Sequence, residues 1–73
     1  MIVDISRSTL ARNRELVTRL IRLDPEERKE KFFEILGLLE IKVATCCPEV
    51  DQEVRDFGEI VTAFRAAEHR GYR

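Results

Sequence analysis

Hydrophobic residues recur along this chain three and four positions apart, the interval of a helix buried on one side. At about 100° per residue, Leu10, Leu16, Val17, Leu20, Ile21 and Leu23 share one sector, with Arg12, Glu15, Arg19 and Arg22 opposite. The pattern predicts an amphipathic helix over about residues 9–23, opened by Ser8 or Thr9 as its N-cap. Asn13 is its one irregularity, a polar side chain near the middle of the apolar sector. Met1 to Ile5 alternates only loosely and reads as a short N-terminal arm.

Asp24-Pro25-Glu26-Glu27 is the clearest local signal. Asp24 is a good N-cap, Pro25 suits the first helical position, and Glu27 can bond back to the cap. Proline disfavours helical geometry at the residue before it, so the first helix stops at about Leu23 and a second runs over about residues 25–46. Its first turns, Glu26 to Lys31 with Arg28 among them, read as solvated. Phe32, Leu36, Leu39, Val43 and Cys46 then alternate four and three apart like a bundle seam, widened by Ile35 and Cys47. Phe33 and Ala44 lie to one flank, while Leu38 and Ile41 project from nearly the opposite side. This helix is apolar on more than one face.

Pro48, followed by Glu49 and Asp51, reads as the start of a third helix over about residues 49–70. Its stripe is Val50, Val54, Phe57, Val61 and Phe64, flanked by Ile60 and Ala67. Gly71 is placed to cap its end, and His69 and Arg70 suit the negative end of the helix dipole. The expected fold is all-α: one domain, three helices and a short arm, forming a homodimeric helical bundle.

Length supports the dimer. A chain of 73 residues buries only about 60% of the surface exposed when unfolded, and small domains need a further source of stability. Cys46 and Cys47 are adjacent and cannot close a loop, and no Cys-His or Cys-x-x-Cys spacing provides zinc ligands. Helix packing with self-association is what remains. Phe33, Leu38 and Ile41 are the expected oligomer interface, an apolar surplus beyond what three helices must bury. The plain alternative is that Ile2, Val3 and Ile5 fold over that face and seal it.

The net charge is -1, which argues against a generic nucleic-acid or membrane-surface binder, and no apolar run approaches a membrane span. The first residues lack the basic start and apolar core of a signal peptide, so a soluble cytoplasmic protein is expected. Charge is uneven, however: residues 1–23 hold five arginines against Asp4 and Glu15, a balance of +3. Arginine makes bidentate contacts to carboxylate or phosphate, so Arg12, Arg19 and Arg22 are the expected contacts to a partner protein with an acidic surface. A solvated face, paired in part with acids of the third helix, is the plain reading.

A helix-turn-helix DNA reader is disfavoured, because Glu49, Asp51, Glu53, Asp56 and Glu59 in the third helix face only Arg55 in opposition. No Gly-rich phosphate loop, nucleophile motif or metal-ligand cluster is present, so no catalytic, cofactor or metal residue is assigned. Cys46 and Cys47 read as core, and His69 as a surface residue, rather than as redox or catalytic groups. The expected function is non-enzymatic: a small regulator or adaptor that binds another protein through helix faces. The alternatives are a nucleic-acid-associated regulator using the first-helix arginines, and a purely structural self-assembling subunit.

Overall fold

Backbone capping sets where each helix starts and stops. The structure, a computed structural model, describes residues 4–45 and 50–69. Among these residues there is no strand, and four helices follow in order: α1 (Arg7–Arg12), α2 (Arg14–Arg22), α3 (Pro25–Ala44) and α4 (Val50–His69). The all-α expectation therefore holds, but the helix count does not: the single helix expected over about residues 9–23 is two. The break is at Asn13, whose backbone leaves helical geometry at φ −124°. Its side-chain Nδ2 donates to the Thr9 carbonyl and to Asp56 Oδ2, both at 2.9 Å. A short amide that binds a nearby carbonyl and a neighbouring helix competes with the regular ladder.

The first cap also moves. Ser6, not Ser8 or Thr9, caps α1, its hydroxyl accepting from the Thr9 N–H. Thr9 is buried instead, and its hydroxyl donates to Glu59 Oε1 at 2.7 Å. At the α2–α3 junction the expected cap is present: Asp24 Oδ1 accepts from the Glu27 N–H at 2.9 Å, with Pro25 opening α3. Thr45 closes α3, its backbone N–H and hydroxyl both turned back to the carbonyls of Ile41 and Lys42. The expected turn at Pro48, the cap at Gly71, the Cys46–Cys47 pair and most of the N-terminal arm lie outside the described residues.

Helices α3 and α4 form an antiparallel hairpin. Lys42 pairs with Glu53 at one end, Phe32 meets Phe57 and Phe64 in the middle, and Arg28 pairs with Glu68 at the other end. Helices α1 and α2 lie across one side of α4. There Val17, Leu20, Ile60 and Phe64 form the core, with Ile5, Leu16, Leu23 and Phe32 packed against it. Ile5 thus joins the core beside α2 instead of covering Leu38 and Ile41.

The buried face of α4 is rotated from the expected stripe. Val50 and Phe64 of that stripe are buried together with Ile60, Ala63 and Ala67, whereas Val54 is 42% exposed. Among the described residues of the expected α3 seam only Leu39 is buried; Leu36 and Val43 are 42% and 52% exposed. The reason is coverage: α1 and α2 sit on one side of the hairpin only, so each seam is closed at its inner edge.

Two charged side chains are buried, and one of them, Arg28, stands in a stretch expected to be solvated. Arg28 is 4% exposed. Its Nε and Nη2 donate to the carbonyls of Leu20 and Leu23 at 2.9 and 2.8 Å, and Nη1 pairs with Glu68 Oε2 at 2.6 Å. The guanidinium also lies 4.8 Å from the centre of the Phe64 ring, in cation–π contact. It caps the end of α2 while standing on α3 and holding α4.

Asp56, also 4% exposed, receives Arg12 Nε and Nη2 at 2.8 Å each, together with Asn13 and Gln52. The paired guanidinium of Arg12, reinforced by the amides of Asn13 and Gln52, holds the Asp56 carboxyl far below the ordinary carboxylate range despite its burial. Glu59 is lowered as well, by the Ser6 N–H and the Thr9 hydroxyl. Beside them, Asp56 raises the affinity of Arg12 for its proton.

Two outcomes test these joints. Arg28→Ala should lower stability by about 3 kcal/mol in urea denaturation, since it removes the guanidinium from Glu68 and the Leu23 carbonyl and leaves Leu20 only the Leu23 N–H. Arg28→Lys should recover only part of that loss, because an ammonium cannot span three acceptors in a fixed fork. The second outcome concerns acid. Carboxylates whose folded affinity for protons is depressed stabilise the fold fully above their unfolded values, about 4, and lose that contribution as pH falls below them. Glu27, raised by its contact with Asp24, offsets a little of this. Stability should therefore fall on acidification below about pH 4. Asp56→Asn should flatten that fall while costing about 2 kcal/mol at neutral pH. An acid limb identical in wild type and variant would refute the assignment.

Candidate functional site

Because α1 and α2 occupy one side of the α3–α4 hairpin, the other side carries an open groove of about 630 Å³. Its walls are Phe32, Phe33 and Leu36 from α3 with Phe57 and Val61 from α4, and its rim is Pro25, Glu26, Lys29, Arg65 and Glu68. The floor is set by aromatic packing: the Phe32 ring stands edge-on to Phe57 with centroids 6.0 Å apart, and lies 6.1 Å from Phe64. Phe32 and Phe57 are half-buried, while Phe33 is 63% exposed at the outer wall. An apolar trough with charge confined to its edges suits an apolar surface framed by polar groups. Its lining contains no serine, threonine, cysteine or histidine.

A second hollow, of about 560 Å³, lies on the α1–α2 side, lined by Leu16, Ile35, Leu38 and Leu39 together with Arg12, Asn13, Gln52, Glu53 and Asp56. The polar part of that lining is the Asp56 network together with the Lys42–Glu53 pair, each already partnered within the chain. Among the described residues no three His, Cys, Asp or Glu side chains converge as metal ligands. No helix among them is long and apolar enough to cross a membrane.

The three residues expected to form the oligomer interface are all solvent-facing but are not one patch. Phe33 belongs to the groove, and Leu38, 55% exposed, belongs to the second hollow. Ile41, 63% exposed, lines neither. Phe33 and Leu38 are five positions apart, hence about 140° apart around α3, so no flat surface covers both. Ile41 falls between them.

The arginine face is divided too. Arg12 is committed to Asp56, which is the intramolecular pairing that the plain reading of that face described. Arg19 and Arg22 are exposed and make no ion pair with another described residue. His69 is exposed at the end of α4.

The groove itself was not singled out in the sequence, although its components were. Their spacing places Phe32, Leu36, Phe57 and Val61 in the interior seam, and only the position of α1 and α2 leaves their outer edges open. One signal did exist: α3 carries apolar residues at nearly every azimuth, more than one neighbouring helix can cover. No known protein family, curated protein or solved structure matches this chain.

Proposed function

We propose that this chain acts by binding rather than catalysis: a small cytoplasmic regulator or adaptor that engages another protein through helix faces and works as a homodimer. One observation carries the reading. Among the described residues, Phe33, Leu36, Leu38, Ile41 and Val43 of α3 are all between 42% and 63% exposed. Large apolar side chains concentrated on one helix, in a chain whose fully buried large side chains are Phe64, Leu20 and Ile60, are an interface signature. They also extend over more than one direction of α3, which leaves room for a second copy and a different protein together.

Arg19 and Arg22, exposed on α2, are the charges that steer an acidic partner. The nucleic-acid alternative draws on the same residues with less charge, since Arg12 is neutralised by Asp56. It also lacks exposed aromatic partners for bases on α2.

Light scattering over a concentration series should find a dimer whose mass is unchanged between low and high salt. A monomer at every concentration would refute the homodimer. Arg19→Glu with Arg22→Glu should leave that dimer intact and weaken capture of the partner from lysate by roughly tenfold or more. Undiminished capture by the double variant would remove these arginines from the interface. Binding of single-stranded nucleic acid that falls steeply with salt would replace the protein-binding reading with its alternative.

A further inference from the structure

We infer that the α3–α4 groove is closed by the same groove of a second copy of this chain, with the two hairpins forming a four-helix core and Leu38 and Ile41 left outside it. The inference rests on the reading that the chain self-associates, and it assigns the surface that does so.

The outer edges of the hairpin carry a second seam. On α3, Leu36 and Val43 are seven residues apart, and on α4, Val54 and Val61 are seven apart. Heptad spacing on two antiparallel helices is what another helical pair needs for knobs-into-holes packing. Leu36, Val43 and Val54 are 42%, 52% and 42% exposed, and Phe33 adds a large ring at the groove wall. Between Val54 and Val61 stands Gly58, where an added Cβ would meet nothing within 4 Å. The same openness holds at Gly37 of α3, so Gly58 marks only that the α4 backbone beside this seam is open to close approach from outside.

Size and charge select the occupant. Two helices of 20 residues each give a face about 30 Å long and about 20 Å wide, or about 600 Å² per partner, the lower edge of the range for stable interfaces. The rim holds Glu26 and Lys29 from α3 with Arg65 and Glu68 from α4, two acids and two bases, although Glu68 gives Oε2 to Arg28 and keeps only a third of its side chain exposed. A two-fold contact sets one patch against itself, so it requires a rim in which each sign finds its opposite. An acidic or a basic foreign partner would instead be matched by a rim of one sign.

The test uses the full chain. Leu36→Arg with Val54→Arg places two charges in the seam at positions already exposed in the single chain. Light scattering should then find a monomer, with helix content by circular dichroism unchanged and dimer affinity reduced about a hundredfold or more. Leu38→Asp and Ile41→Asp should both remain dimeric. A dimer that survives the groove variant, or that dissociates on Leu38→Asp or Ile41→Asp alone, overturns the groove assignment while leaving self-association standing. A wild-type monomer at all concentrations removes self-association itself, and the groove then belongs to a foreign helix. Should the arginine variant lose its fold, Lys29→Glu with Arg65→Glu keeps every apolar contact and turns the rim wholly acidic. That variant should dimerise roughly tenfold more weakly at low salt and recover at high salt. Affinity equal to wild type at low salt would refute the contact.

Discussion

The buried guanidinium of Arg28 is the joint on which this architecture turns. A charge removed from water is tolerated only where its donors all find acceptors. Here they find the last carbonyls of α2, the Glu68 carboxylate of α4 and the face of Phe64. One side chain on α3 therefore fixes the angle at which α2 leaves, and sets the end of α4 against the start of α3. With few fully buried large side chains, apolar contact alone would specify that arrangement weakly. Directional bonds from α3 to two other helices specify it strongly. At the other end of the α1–α2 segment, Asp56 does the reverse: a carboxylate on α4 gathers Arg12 and Asn13 and holds the break between α1 and α2 in place.

These two pins decide what remains uncovered. Helix α2 has nine residues and α3 has 20, so α2 reaches along less than half of the hairpin. Pinned by Arg28 near the start of α3, it covers Leu20's contacts with Ile60 and Phe64 and does not extend to the far half of α3. Leu38, which lies on that side, is exposed for that reason. The groove on the opposite side has the same origin, because the chain has no further described helix to lay over Phe33, Leu36 and Val61. The polar joints of the interior and the apolar openings of the surface are thus two consequences of one placement.

Much of this was legible in the sequence, and the residues that were not are instructive. The Asp24-Pro25 junction, the helical class and the excess apolar character of the second long helix follow from local chemistry, which depends little on neighbours. Asn13 announced itself as a polar residue in an apolar sector, although whether it would break the helix or merely interrupt its face depended on Asp56, 43 positions away. Arg28 reads as solvated because its neighbours are all charged, and Asp56 reads as one more acid of the third helix. Their positions carried a hint: each stands four residues before a core side chain, Phe32 or Ile60, and so shares its azimuth. The groove could not be read at all, since periodicity tells which side of a helix is apolar and not which neighbour covers it.

The open faces of α3 point in directions too far apart for one flat contact, and this has a consequence for a binding protein. If the groove holds a second copy, Leu38 and Ile41 project elsewhere, and occupancy of one face does not exclude occupancy of the other. The two faces would then be thermodynamically additive unless the shared helix shifts, and Arg28 with its three acceptors resists such a shift near the start of α3. A dimer built this way displays two copies of the second face on one rigid core. Its advantage for a partner that is itself repeated is effective concentration: the second contact forms within an existing complex and needs no contact of its own design. Small size limits the affinity of each face, and duplication on a shared core raises the affinity of the pair.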